Sequence, residues 1–120
     1  FGVAAELARK DLESGLPARL GALRDALWDG LRSRVPGIAL NGSATQRLPN
    51  NLNVHVPGVE AAALLMALRD HVALSTGSAC SSATLAPSHV LRAIGLPDET
   101  AHSSLRFGLL RDTTPAHVDA

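Results

Sequence analysis

Cysteine is nearly absent. Cys80 is the only one in 120 residues, so an internal disulfide is excluded and a reducing, cytoplasmic setting is expected. Lysine is as rare, with Lys10 alone. Aromatics are limited to Phe1, Trp28 and Phe107, so the core must come from Leu, Val, Ala and Ile. No apolar run approaches the ~20 residues of a membrane span, and no secretory signal is visible. Neither charge predominates: eleven Lys and Arg balance eleven Asp and Glu. That balance gives no electrostatic reason to expect nucleic acid or an anionic membrane as partner. The five histidines, His55, His71, His89, His102 and His117, lack ligand-type spacing, so no intrinsic metal site is expected.

What is there reads as one domain. Residues 2 to 13 are helical by composition, and Gly15 and Pro17 then restart the helix. Leu16, Leu20, Leu23, Leu27 and Leu31 recur at three- and four-residue spacing, a core stripe with Trp28 at its edge. Pro36-Gly37 ends it. Residues 38–42 form a short strand into a turn. In residues 51–56, Leu52, Val54 and Val56 alternate with Asn51, Asn53 and His55, a strand with one buried face and a solvated His55. Residues 59–70 are a strong helix, and 72–76 a further strand that leads into the cysteine segment. Pro87 and Ser88 start a short helix that Gly95 ends. A turn or short helix over 98–103 and a last strand over 104–110 follow. The expected class is α+β, a small mixed sheet with helices packed on one face. The first ten residues read as helix interior. Thr114-Pro115 reads as a helix start with too little chain after it for a stable helix. A piece of a longer protein is therefore expected.

Free cysteine is among the most buried residue types, and an inert Cys80 is the default. The neighbours argue otherwise. From Thr76 to Ala86 only Leu85 is large and apolar, and Gly77, Ser78, Ala79, Ser81, Ser82 and Ala83 cannot wall off a thiol. An exposed arm with a chemical use is the better reading. A Cys80–His89 pair of protease type is disfavoured, because nothing local orients the histidine. A thiol on a small-residue arm suits taking up an atom in one place and handing it over in another.

The stretch "S-T-G-S-A-C-S-S-A-T-L-A-P-S-H-V-L-R-A-I-G-L", followed by "A-H-S-S-L-R-F", closely resembles the C-terminal part of the cysteine desulfurases. These are pyridoxal-phosphate enzymes of the class-V aminotransferase family. "L-N-G", "R-L-P-N-N-L-N-V" and "A-L-L-M-A-L" continue the match upstream. The cysteine segment resembles the long-loop branch that serves iron–sulfur cluster assembly. The resemblance implies the small domain of a fold-type I enzyme, with residues 1–34 or so as part of an interdomain helix. It implies that L-cysteine is the substrate, that the thiolate of Cys80 attacks its sulfur, and that alanine leaves a persulfide for an iron–sulfur scaffold protein. Cys80 is then at most a transient iron–sulfur ligand. Arg106 would grip the substrate carboxylate, in keeping with a planar, always-charged guanidinium. Asn50 and Asn53 also match and read as turn and strand-edge hydrogen bonders. Arg92 and Arg111 read as surface residues.

The resemblance also implies a homodimer, and pyridoxal phosphate held by a large domain. Lys10 matches no cofactor motif and reads as a solvated helix residue. No cofactor-binding residue is therefore expected in this chain, which on its own is expected to be inactive. The family strand usually runs Arg-Phe-Ser-Leu-Gly-Arg. Here it runs Arg106-Phe107-Gly108-Leu109-Leu110-Arg111, a change that bears on a bulge or on the strand's exit. The alternative function is a non-catalytic sulfur-carrier or scaffold-docking module. A third reading, an inert relic, is disfavoured by the intact cysteine segment.

Overall fold

The computed structural model describes residues 1–76 and 87–120. Helix α1 (Gly2–Glu13) and helix α2 (Leu16–Arg34) are separated at Gly15, whose φ of 77° is left-handed backbone that glycine adopts without penalty. Strands β1 (Ala39–Leu40) and β2 (Asn51–His55) follow, then helix α3 (Ala61–Leu68). The Glu60 carboxylate accepts the backbone N–H of Ala62 and Ala63 at 3.1 and 2.8 Å, which sets the start of α3. Helix α4 (His89–Ala93), helix α5 (Asp98–His102), strand β3 (Ser104–Gly108) and helix α6 (Pro115–Asp119) complete the order. Among the described residues, no helix is long and apolar enough to cross a membrane.

The sheet runs β1-β2-β3 and every described pairing is antiparallel, so the α+β class holds while the expected mixed sheet is an antiparallel one. Period-two alternation puts Leu52, Val54, Leu105 and Phe107 on one face. Leu52, Val54 and Leu105 are buried there with Ala61, under Leu27, Trp28 and Leu31 of α2 and Leu64 and Leu65 of α3. Each such large aliphatic side chain contributes on the order of 1.5–3 kcal/mol by leaving water. The expected leucine stripe on α2 holds and serves two clusters. Its C-terminal part covers the sheet, while Leu16, Leu20 and Leu23 pack with Leu109 and Val118.

Two expectations are corrected. The segment 72–76 carries a single antiparallel bridge, Ser75 to Arg106, and not a full strand. The chain leaves α3 in a tight turn, His71 and Val72 both donating to the Leu68 carbonyl, so it reaches β3 only at Ser75. And Thr114-Pro115 does start a helix despite the little chain after it. The Thr114 hydroxyl accepts from the His117 N–H, His117 Nδ1 accepts from the Thr114 N–H, and Val118 packs on Leu20, Leu23 and Leu109. Tertiary packing and a reciprocal cap replace length. Thr114→Ala is expected to cost about 1 kcal/mol in a denaturant melt; an unchanged midpoint would mean that α6 does not depend on its cap.

The strand departure at Gly108 causes no bulge. Asn51 to His55 oppose Gly108 to Ser104 in unbroken register, and Gly108 has a negative φ and open space where a Cβ would sit.

Candidate functional site

The second face of the sheet is polar by the same alternation. Asn53 and His55 of β2 share it with Ser104 and Arg106 of β3, and Asn41, which follows β1, joins them: its N–H donates to the Asn53 carbonyl at 2.9 Å. Asn41, Asn53, Arg106 and Ser75 thus form one row across four neighbouring segments.

Arg106 sits in the middle of this row. Its N–H donates to the Ser75 carbonyl at 2.7 Å and its carbonyl accepts from the Ser75 N–H at 3.3 Å. Both of its backbone groups therefore point away from β2. The Asn53–Arg106 pair is consequently the non-hydrogen-bonded kind, in which Cα atoms come to ~4.5 Å and side chains stand closest. The Arg106 side chain is half-buried. The bridge also fixes where the cysteine segment begins, for Ser75 lies two residues before Gly77. Cys80, the other candidate residue, and the arm expected around it lie outside the described residues.

Beside Arg106, Asn41 is the hub of a polar network that the sequence reading missed. It is 4% exposed and uses its whole side chain. Its Nδ2 donates to Asn53 Oδ1 at 2.6 Å and to Ser104 Oγ at 2.9 Å, and its Oδ1 contacts His55 Nδ1 at 2.7 Å. Ser104, fully buried, donates its hydroxyl to the Thr100 carbonyl at 2.7 Å. A carbonyl can only accept, and this fixes the direction of every bond. The Ser104 hydroxyl donates to Thr100 and so accepts from Asn41; Asn41 presents Nδ2 there and Oδ1 to His55; His55 donates from Nδ1. His55, expected to be solvated, is half-buried and fixed. Asn53, expected at a strand edge, lies in the central strand. The alternation Asn51-Asn53-His55 was a signal that this face is polar. Nothing local marked Asn41 or Ser104 as its partners.

Next to this network, Arg47 donates from Nη2 to the Asn41 carbonyl at 2.9 Å and from Nε to the Ser43 carbonyl at 2.7 Å. Burial, with Arg24 nearby, pulls its pKa below the ordinary arginine value, though an arginine stays charged at any working pH. A cleft lined by Arg24, Asp25, Trp28, Leu40, Ala44 and Arg47 lies on the α2 side and includes neither Arg106 nor Asn53. Arg92 pairs with Asp98 at 3.0 Å and Arg111 pairs with Asp11. Among the described residues, no group of three or more His, Cys, Asp or Glu could hold a metal ion.

The residues present do not fit pyridoxal phosphate. The only lysine, Lys10, is 63% exposed on α1, with Nζ 3.6 Å from Glu6 Oε1. A Schiff-base lysine needs an enclosed, desolvated setting that lowers its pKa. No step through that cofactor is assigned to this chain.

No family model matches the chain. Curated relatives do. It is 53% identical over 120 residues to cysteine desulfurase IscS of Anaeromyxobacter sp. (strain Fw109-5), and 51% identical over 119 residues to that of Shewanella loihica. In both cases 99% of this chain is covered, but only 29% of the relative. Among solved structures, the NifS-like protein from Rickettsia africae superposes with a TM-score of 0.79 at 24% identity, covering 98% of this chain and 30% of that one, a likeness of fold. DndA from Streptomyces lividans gives a TM-score of 0.56 at 33% identity over 88% of this chain and 28% of its own. Over nearly its whole length, the chain is therefore homologous to a segment, about 29% long, of the cysteine desulfurases.

Proposed function

We propose that this chain is the C-terminal small domain of a cysteine desulfurase and supplies two groups to the reaction: the sulfur-accepting thiol of Cys80 and the carboxylate-binding guanidinium of Arg106. The substrate is L-cysteine. Pyridoxal phosphate is held by parts of the protein outside this chain. The observation that carries the reading is the bridge between Ser75 and Arg106. It anchors the origin of the cysteine segment on the backbone of the arginine. Cys80 lies five positions after Ser75, so the two Cα atoms can be no more than ~18 Å apart. That limit allows the thiol to meet a substrate held at Arg106.

In the proposed step the Cys80 thiolate attacks the substrate sulfur. The new S–S bond forms as the C–S bond breaks, the bonding pair stays on carbon, and that carbon takes up a proton to give L-alanine. Cys80 is left as a persulfide. Arg106 holds the carboxylate with two parallel N–H···O bonds and keeps the substrate in line with the thiol. The persulfide then passes to an acceptor, with an iron–sulfur scaffold protein as the proposed recipient, and the whole protein works as a homodimer in the cytoplasm.

The test is turnover by the whole protein. With L-cysteine and a reductant, L-alanine and sulfide should appear in equal amounts, and Lys10→Ala should leave the rate unchanged. Absence of alanine would sink the reading. A Lys10→Ala variant that lost turnover while keeping its fold would show that the cofactor site had been misplaced.

A further inference from the structure

We infer that Asn53 is a second carboxylate-binding residue, its amide N–H groups standing beside the Arg106 guanidinium and held in that orientation by Asn41. The inference rests on the proposed function and extends it. Its basis is the direction of the network. An isolated asparagine can present either its oxygen or its nitrogen, and the two look alike in shape. Here the choice is made by the neighbours. The Thr100 carbonyl accepts from Ser104, so Asn41 must offer Nδ2 to Ser104, and that same nitrogen donates to Asn53 at 2.6 Å. Asn53 must therefore receive it with Oδ1. Its own Nδ2, with two N–H donors, is turned away from Asn41.

Three observations say what those donors suit. None of the described hydrogen bonds uses Asn53 Nδ2, and the residue is half-buried, so the amide is still within reach. Asn53 is the direct cross-strand neighbour of Arg106, in a non-hydrogen-bonded pair where side chains are closest. A guanidinium and an amide presented as donors from adjacent strand positions recognise an anion with several lone pairs, and a carboxylate offers about four. The opposite orientation would aim the Asn53 oxygen at the guanidinium, where it would compete with substrate. Asn41 is thus a positioning residue: buried, saturated and remote from the substrate, it decides which end of Asn53 the substrate meets.

The test uses the whole protein. It compares steady-state kinetics on L-cysteine with equilibrium binding of L-alanine, which keeps the carboxylate, and of cysteamine, which lacks it. Asn53→Ala is expected to raise KM for L-cysteine and Kd for L-alanine by a common factor, roughly ten- to a hundredfold for a hydrogen bond to a charged group, with kcat and cysteamine binding unchanged. Asn53→Asp is isosteric and its oxygen still accepts from Asn41, so the network survives. A second carboxylate facing the substrate's own should weaken L-alanine binding further. Equal losses for L-alanine and cysteamine would overturn the inference, because a merely structural role cannot tell the two apart. Unchanged KM in Asn53→Ala beside a raised KM in Arg106→Ala would overturn it and leave the proposed function standing. Unchanged KM in both would remove the substrate site from this face altogether.

Discussion

Cys80→Ser in the whole protein is expected to abolish sulfur release from L-cysteine while leaving L-cysteine binding in place. The two effects separate because the two groups act at different moments. The thiolate enters only when the C–S bond breaks, and a serine hydroxyl at neutral pH is neither ionised nor able to hold sulfur. Binding depends on the carboxylate contact and on residues outside this chain, which the substitution leaves alone. The expected outcome is a protein that still binds L-cysteine in an equilibrium binding measurement and then stalls, with no sulfide and no alanine beyond background. Turnover at the original rate would show that the sulfur goes elsewhere, and Cys80 would revert to an ordinary small apolar residue.

Arg106→Ala is expected to lower kcat/KM for L-cysteine roughly 30- to 1000-fold, most of it in KM, as the loss of a charged two-pronged contact worth ~2–4 kcal/mol. The loss falls on KM because the carboxylate takes no part in bond breaking, so its contact is the same in ground and transition states. Arg106→Lys should recover only part, since an ammonium is a point charge without the guanidinium fork. The backbone argues that the effect is local. Arg106 is joined to Ser75 through its main-chain N–H and carbonyl, which alanine keeps. Wild-type KM and kcat in Arg106→Ala would mean that β3 does not line the substrate site.

What the sequence made legible was whatever depends on periodicity. The α2 stripe of Leu20, Leu23, Leu27 and Leu31 was visible because helix period and apolar spacing coincide. β2 was visible because Leu52 and Val54 alternate with Asn51, Asn53 and His55. Features that depend on what meets what across the fold were not legible. The polar face of β2 was apparent, but not that Asn41, twelve residues before Asn53, would close a network with Ser104, sixty-three residues beyond Asn41. Helix α6 was judged too short because isolated helices of a few residues are unstable in water, and the packing of Val118 onto α2 is a tertiary fact. The strand over 72–76 was overestimated because an apolar β-prone run gives no hint that the turn out of α3 uses up its first residues. Cys80 stood out through its small, polar neighbours, while its role and that of Arg106 came from a motif resemblance. To Arg106 the fold adds its neighbours: Ser75 on one side and Asn53 on the other.

The central claim is that Cys80 receives the sulfur. The most direct measurement is mass spectrometry of the peptide that carries Cys80, after the whole protein has been mixed with L-cysteine without reductant and trapped with an alkylating reagent. The account predicts that this peptide gains one sulfur atom, that reduction removes it, and that Arg106→Ala slows the gain at low L-cysteine. A Cys80 peptide of unchanged mass while L-alanine accumulates would contradict it.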